Sequence, residues 1–276
     1  MAIQILDPVD FIPGHIRFAV FDFDGTLSLL RAGWQEIMES YFTEVLIAAD
    51  AATTLEVHAV TAREFITRLT GRQTIYQALE LERLVKAAGA AALPAVQYKA
   101  EYLRRLHAHI DHRLSSLRDH SCTPTRHLVR GSVELLRAIQ AAGITCYLAS
   151  GTDRPNVVEE AELLGLTGFF AEEGTAPRIH GALVDHHNFS KRMIIEQIIQ
   201  ENALSGPELV AFGDGFVEIE EARRAGGIAV GIASREDGEA GMDPWKARRL
   251  QDVGAHLLVP DWSAADELLG LLGISA

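Results

Sequence analysis

Short, largely apolar runs alternate along the chain with segments in which apolar positions recur every three or four residues. Arg17–Phe21, Ile144–Ala149, Leu209–Phe212, Ile228–Ile232 and His256–Val259 are of the first kind. Strands buried on both faces read this way, and such strands belong to parallel sheets covered by helices. Helices are predicted at Ser132–Ala142, Pro155–Leu164, Lys191–Asn202, Val217–Ala225 and Ala264–Leu272. Gly143, Gly165 and Gly226 stand where helix C-terminal caps are expected. Strand followed by helix, repeated, predicts an α/β fold built on a doubly wound parallel sheet.

Residues 29–120 have a different texture. Trp34–Ala49, Ala62–Leu69, Thr74–Ala88 and Ala95–Arg118 all carry helical apolar spacing, with breaks at Thr70-Gly71-Arg72, Gly89 and Pro94. An α-helical module is therefore expected between the first and second strands, with residues 1–28 and 121–276 forming the α/β core. Residues 1–16 precede the first strand as a small extension that either lengthens the sheet or forms an interface.

Composition narrows the functional classes. Of 276 residues, 48% are hydrophobic, enough for a sizeable core, yet no apolar run reaches the roughly 20 residues of a membrane-spanning helix. The start, Met1 to Asp10, holds two acids and no base, unlike a secretory signal. Two cysteines, Cys122 and Cys146, suggest neither a disulfide framework nor a zinc site, so a reducing cytoplasm is the expected location. A net charge of −13 weighs against nucleic-acid binding but permits a small anionic substrate at a locally positive site. No feature sets the oligomeric state.

The chemistry concentrates at strand ends. Asp22-Phe23-Asp24-Gly25-Thr26 directly follows the first strand, and open α/β sheets bind ligands beyond the carboxyl ends of their strands. Acids two residues apart on an extended chain point to the same side, and Gly25 permits a sharp turn after them. One carboxylate can then attack while the second moves protons, and the pair suits a hard, oxygen-seeking cation such as Mg²⁺.

With this motif the chain resembles the haloacid dehalogenase-like (HAD) hydrolases, whose fold is a Rossmann-like core. Three further motifs of the family follow in order: Ser150 in Leu148-Ala149-Ser150-Gly151-Thr152, Lys191 after Phe189-Ser190, and Asp214 with Glu218 in Phe212-Gly213-Asp214-Gly215-Phe216-Val217-Glu218. The resemblance implies that Asp22 is a nucleophile taking a phosphoryl group and that Asp24 is the general acid and base. It implies that Ser150, Gly151 and Thr152 hold phosphate oxygens, and that Lys191 offsets the charge of Asp22 and the phosphoryl group. Mg²⁺ is the implied cofactor, held by Asp22, the backbone carbonyl of Asp24, Asp214 and Glu218. Glu218 stands where many members have Asp, one methylene shorter. Asp24 points to phosphoester rather than carbon–halogen or phosphonate chemistry, because those branches usually lack Asp there. The helical insert resembles the family's larger cap, which closes over small substrates. Arg31, Trp34 and Gln35 lie near its hinge, and Arg72 and Gln73, in the polar break, are candidate substrate contacts. The expectation is hydrolysis of a small phosphomonoester, a sugar or polyol phosphate, through an aspartyl-phosphate intermediate. A sugar phosphomutase or other phosphotransferase of the same family is the first alternative, and a non-catalytic binding or regulatory module the second.

Each residue also has a plainer reading. Asp22 and Asp24 alone suit a polar loop, and Asp214 and Glu218 suit a helix start and a solvated face. Ser150 suits an N-cap, and Lys191 a surface position. His107, His109, His112 and His120 read as a solvated helix face, and His186 and His187 as a surface turn that borders the site at most. Trp34 and Tyr76 read as core of the helical module ahead of substrate platforms. Cys122 and Cys146 read as structural.

Overall fold

The computed structural model describes residues 3–7, 15–172, 174–183, 189–237 and 239–274. Among these, seven strands form one sheet: β1 (Gln4–Ile5), β2 (Phe18–Phe21), β3 (Thr145–Asp153), β4 (Ile179–Ala182), β5 (Leu209–Gly213), β6 (Ile228–Ile232) and β7 (Leu257–Val259). Their order is β1-β7-β6-β5-β2-β3-β4. Every pairing is parallel except β1 with β7. The extension thus lengthens the sheet at its edge, where the short antiparallel strand β1 ends the row.

Helices α5 (Ser132–Ala141), α6 (Arg154–Leu163), α7 (Lys191–Glu201), α8 (Phe216–Arg224), α9 (Pro244–Asp252) and α10 (Ala265–Leu271) flank the sheet. β2 is central, and the chain winds to β3 on one side of it and to β5 on the other, so the strand order reverses at β2. Brought to this reversal are the carboxyl ends of β2, β3 and β5, which lie level: Phe21 pairs with Leu148 of β3 and with Phe212 of β5. Asp22 is one residue past this line, and Ser150 and Asp214 are each two past it. Beneath the line, Phe21 stacks on Phe212 with ring centroids 4.6 Å apart, and Trp262 meets Phe212 edge-on at 5.7 Å.

Between β2 and β3 the chain builds four helices, α1 (Trp34–Ala49), α2 (Leu55–Leu69), α3 (Ile75–Ala87) and α4 (Ala95–Arg118). Phe42 of α1 stacks on Phe65 of α2, and Tyr102, Leu106 and Ile110 of α4 are buried along one stripe. The buried apolar side chains of these helices join those of the sheet in one cluster. The two connections between module and sheet run side by side. The Leu29 amide donates to the His127 carbonyl at 2.8 Å, the Val129 amide donates to the Leu27 carbonyl at 3.0 Å, and Ser28 bridges Leu128 in antiparallel fashion.

The structure adds to the sequence reading in four places. α2 starts at Leu55 rather than Ala62, capped by the Thr54 hydroxyl, which accepts from the Val57 amide. Leu55, Val57 and Val60 are exposed, so apolar residues on the solvent face blur the amphipathic pattern there. β4 was not anticipated because Ile-His-Gly-Ala is short and broken by a glycine. α9 was not anticipated because it buries only Lys246 and Leu250 and has no apolar stripe. β3 continues past Ala149 to Asp153, with an irregular register against β4. No helix among the described residues is long and apolar enough to cross a membrane.

Candidate active site

Asp22, Asp24, Ser150, Gly151, Thr152, Lys191, Asp214 and Arg72 all line one cavity of about 80 Å³, together with Arg31, Trp34, Met38, Thr74, Gln77, Tyr102 and Leu106 from the module. A larger groove between α1 and α2, of about 700 Å³, contains none of these acids. Chemistry, not size, therefore selects the smaller cavity.

Asp22 is buried at the end of β2. Its Oδ1 accepts from the Phe23 amide at 2.8 Å, and its Oδ2 lies 2.7 Å from the Lys191 ammonium. Lys191 is the first residue of α7, whose N-cap Ser190 accepts from the Met193 amide. Only 4% exposed, Lys191 is not a surface lysine, and it also donates to Glu218 at 2.8 Å. Glu218 accepts from the Gly215 amide at 2.8 Å, which turns it back toward the strand ends. Asp22, Asp214 and Glu218 each offer one oxygen, and the three lie within 4.8 Å of one another. Three carboxylates at that separation repel strongly unless cations lie between them, and oxygen donors at this spacing fit a small divalent ion.

Burial opposes the charge on Lys191, but Asp22 and Glu218 outweigh it and hold its pKa above the usual lysine range. Burial pushes the Asp22 carboxyl well up, Lys191 pulls it down, and Glu218 and Asp214 add to the rise. A divalent cation among the three acids acts in the opposite sense on each of them.

Asp24 sits across the cavity. Its Oδ2 accepts from the Thr152 hydroxyl at 2.8 Å and lies 3.5 Å from the Ser150 hydroxyl. Among the described residues Oδ1 is shut off from solvent and accepts no hydrogen bond, and Arg31 lies 3.8 Å from it. Arg31 is occupied by a two-pronged pair with buried Glu160 of α6. Burial raises the Asp24 pKa to about 6, against the pull of Arg31 and with a push from Glu160. A carboxyl group whose pKa lies this close to neutrality can both give and take a proton.

Two glycines make the close packing possible. A Cβ on Gly25, whose φ is +75°, would stand 2.1 Å from Asp214 Oδ2, and one on Gly213 would stand 2.0 Å from Glu218 Oε1. Neither acid could keep its place beside a larger residue.

The predicted residues separate into groups. Ser150 belongs to β3 and is not an N-cap; Asp153 holds that position on α6. Its hydroxyl accepts from the Thr152 amide at 3.0 Å. Gly151 packs beneath the Arg72 carbonyl, which a Cβ would approach to 2.7 Å. Arg72 is exposed at the cavity mouth, its guanidinium 6.0 Å from the Phe216 ring centroid. Gln73 does not line the cavity; it is buried, and its amide donates to the Phe189 carbonyl at 2.5 Å. Trp34 lines the cavity and packs on the core as well. Tyr76 packs against the core and is not among the cavity residues. His107, His109, His112 and His120 are exposed, as a solvated face requires. His186 and His187 lie outside the described residues. Cys146 is buried with its thiol pushed up to about 12 by burial, whereas Cys122 lies 3.7 Å from the His127 ring, remote from the acids.

Sequence reasoning missed Gln77, Tyr102, Glu160 and Lys246. Gln77, Leu81 and Val85 share the buried stripe of α3, and a glutamine in such a stripe is a signal in itself. Lys246 gave no such signal, because a lysine among the charged residues of a short helix reads as solvated. It lies 2.8 Å from Asp214, and Asp214 and Glu236 together overcome its burial to keep it charged.

A family model for haloacid dehalogenase-like hydrolases matches residues 16–226, and the chain belongs to that family. Similar solved structures include a conserved haloacid dehalogenase-like protein of unknown function from Agrobacterium tumefaciens, at 19% identity, 92% of this chain, 98% of that one and a TM-score of 0.56. They also include a predicted phosphoglycolate phosphatase from Haemophilus somnus (14%, 92%, 98%, TM-score 0.58). A third is β-phosphoglucomutase from Clostridium difficile (13%, 93%, 97%, TM-score 0.57). At these identities the likeness concerns the fold. No curated protein sequence matches significantly.

Proposed function

We propose that the chain is a magnesium-dependent phosphomonoesterase for a small sugar or polyol phosphate, working through an aspartyl-phosphate on Asp22. The carrying observation is the pairing of a buried carboxylate, Asp22, held by Lys191, with a second acid, Asp24, raised to about 6 across the same cavity. Membership in a hydrolase family supports the reaction class.

In this reading Asp22 attacks phosphorus and the ester oxygen leaves with the proton of Asp24. Water then attacks the phosphorus of phospho-Asp22 while Asp24 takes its proton back, releasing inorganic phosphate and restoring both acids. Lys191 offsets the negative charge gathered at Asp22, and the Ser150, Gly151 and Thr152 turn cradles the phosphoryl oxygens. Asp22, Asp214, Glu218 and the Asp24 carbonyl are the groups to hold Mg²⁺, which supplies charge stabilisation to the phosphoryl oxygens when bound.

The four-helix module, residues 29–120, serves as the cap. Gln77 of α3 is 3% exposed, lines the cavity, and its Oε1 has no hydrogen-bond partner among the described residues. An unmet buried amide costs about 1–3 kcal/mol, a cost removed when a substrate hydroxyl donates to it. Tyr102 borders the same space. The small volume of the cavity, about 80 Å³, favours short polyol phosphates over bulky ones. The test is phosphate release from a panel of sugar, polyol, nucleotide and short-acid phosphates with Mg²⁺ and with EDTA. Mg²⁺-dependent release from hydroxylated members is expected. No release from any member rejects hydrolysis, and isomeric sugar phosphate without free phosphate assigns the chain as a mutase.

A further inference from the structure

Lys246 is a buried cation that none of the proposed chemical steps uses. Nine residues of polar helix carry it into the site: α9 starts after Asp243, whose carboxylate accepts from the amides of Trp245 and Lys246 at 2.9 Å each. The side chain then runs inward and is only 5% exposed. Its Nζ lies 2.8 Å from Asp214 Oδ2, 3.0 Å from Glu236 Oε1 and 3.4 Å from the Ser234 hydroxyl. An ammonium has three N–H donors, and here each faces an acceptor. The Ser234 hydroxyl in turn donates a hydrogen bond to the Gly25 carbonyl at 2.5 Å. One buried chain of contacts therefore links the loop after β6, the turn after Asp24 and the carboxylate of Asp214. On its other side Asp214 Oδ2 is packed over Gly25, where no side chain fits.

We infer that Lys246 is a positioning residue for Asp214. It fixes one carboxylate oxygen so that the other is presented, already oriented, to a divalent cation shared with Asp22 and Glu218. The inference rests on the proposed reading of that cluster as a cation site. The alternative role for an ammonium beside a metal ligand is competition, in which its charge repels the incoming ion. Glu236 argues against it, because at 3.0 Å it offsets the charge of Lys246 and leaves orientation as the larger effect. Groups that orient metal ligands from behind typically contribute about 10- to 100-fold to metal affinity.

The two roles predict opposite results. Isothermal titration of metal-free protein with Mg²⁺ and Mn²⁺, in the absence of substrate, is expected to show Kd raised about tenfold or more in Lys246→Met. Lys246→Arg, which keeps a cation of similar reach, is expected to recover part of that loss. Lys246→Gln, with a polar amide in the buried site, replaces Lys246→Met where the latter fails to fold, and the same direction is expected. Circular dichroism and melting of the metal-free variants establish that the fold is retained, so that a change in Kd reports on the site. An unchanged or lower Kd in a folded variant overturns the inference, the lower value identifying competition. If the wild-type protein binds neither ion, the cation-site reading itself fails and this inference falls with it. If the wild type binds and the variants bind equally well, only the role of Lys246 is refuted.

Discussion

Asp22 and Asp24 differ in what surrounds them, and the difference predicts separable effects. Asp22→Asn keeps the Phe23 amide contact through its remaining oxygen and nearly the same volume. Turnover is expected to fall by several orders of magnitude while the fold is retained, and near-normal activity in steady-state assays would refute a nucleophilic Asp22. Asp24 bears on stability as well. Its folded pKa is about 6, above the unfolded carboxylate value. Its contribution is therefore complete below the unfolded pKa and is lost as pH rises through about 6. At neutral pH the ionised group destabilises the metal-free fold, by roughly 1–2 kcal/mol after discounting for its partial exposure. Asp24→Asn is thus expected to melt higher than wild type in EDTA at pH 7.5, to lose that advantage at pH 4, and to be nearly inactive at both. Equal melting temperatures at pH 7.5 would show that Arg31 already compensates the charge.

Among the elements, α3 shows the same tension between stability and use. Gln77 occupies the stripe that Leu81 and Val85 fill with apolar groups. Gln77→Leu is expected to raise the melting temperature, because it removes an unmet buried acceptor. It is expected to lower kcat/KM on hydroxylated phosphates about tenfold or more, and much less on analogues that lack the hydroxyl. Equal losses on both substrate types would move Gln77 from recognition to packing. Strands β2, β5 and β6 were legible in the sequence because burial on both faces leaves no polar residue to confuse the pattern. The four acids and Lys191 were legible because they stand at strand ends and a helix start. β1, β4 and α9 were not, since two or four residues of strand carry little periodicity and α9 draws its place from Lys246 and Leu250 rather than from an apolar face. Gln73 shows the limit of motif reasoning: it lies in the predicted polar break, but only the fold reveals that its amide is bound to the Phe189 carbonyl.

At the scale of the whole molecule, the module and the sheet meet around the active cavity through a few directed contacts. Gln73 donates to Phe189, Arg249 donates to the Thr70 carbonyl at 2.8 Å, and Lys99 pairs with Asp153 at 2.5 Å. If the module is a cap, the first two contacts hold the loop 70–73 down over Gly151 and Gly215. The double variant Gln73→Ala, Arg249→Met is expected to fold normally and to exchange the amides of residues 70–73 faster. Its kcat/KM is expected to fall roughly thirtyfold, as two hydrogen bonds at about 1 kcal/mol each would require. Unaltered exchange would show that packing alone seats the loop.

The paired connections at Ser28 and Leu128 limit how such a cap can travel. Two chain segments joined by hydrogen bonds bend readily about the axis across them and resist twisting or sliding apart. Opening then follows one arc, and closing retraces it. If the module opens and closes as a cap, Gln77, carried on that arc, returns to the same point of the cavity on every cycle, and selectivity is then set by where a strap is anchored as much as by what the strap bears.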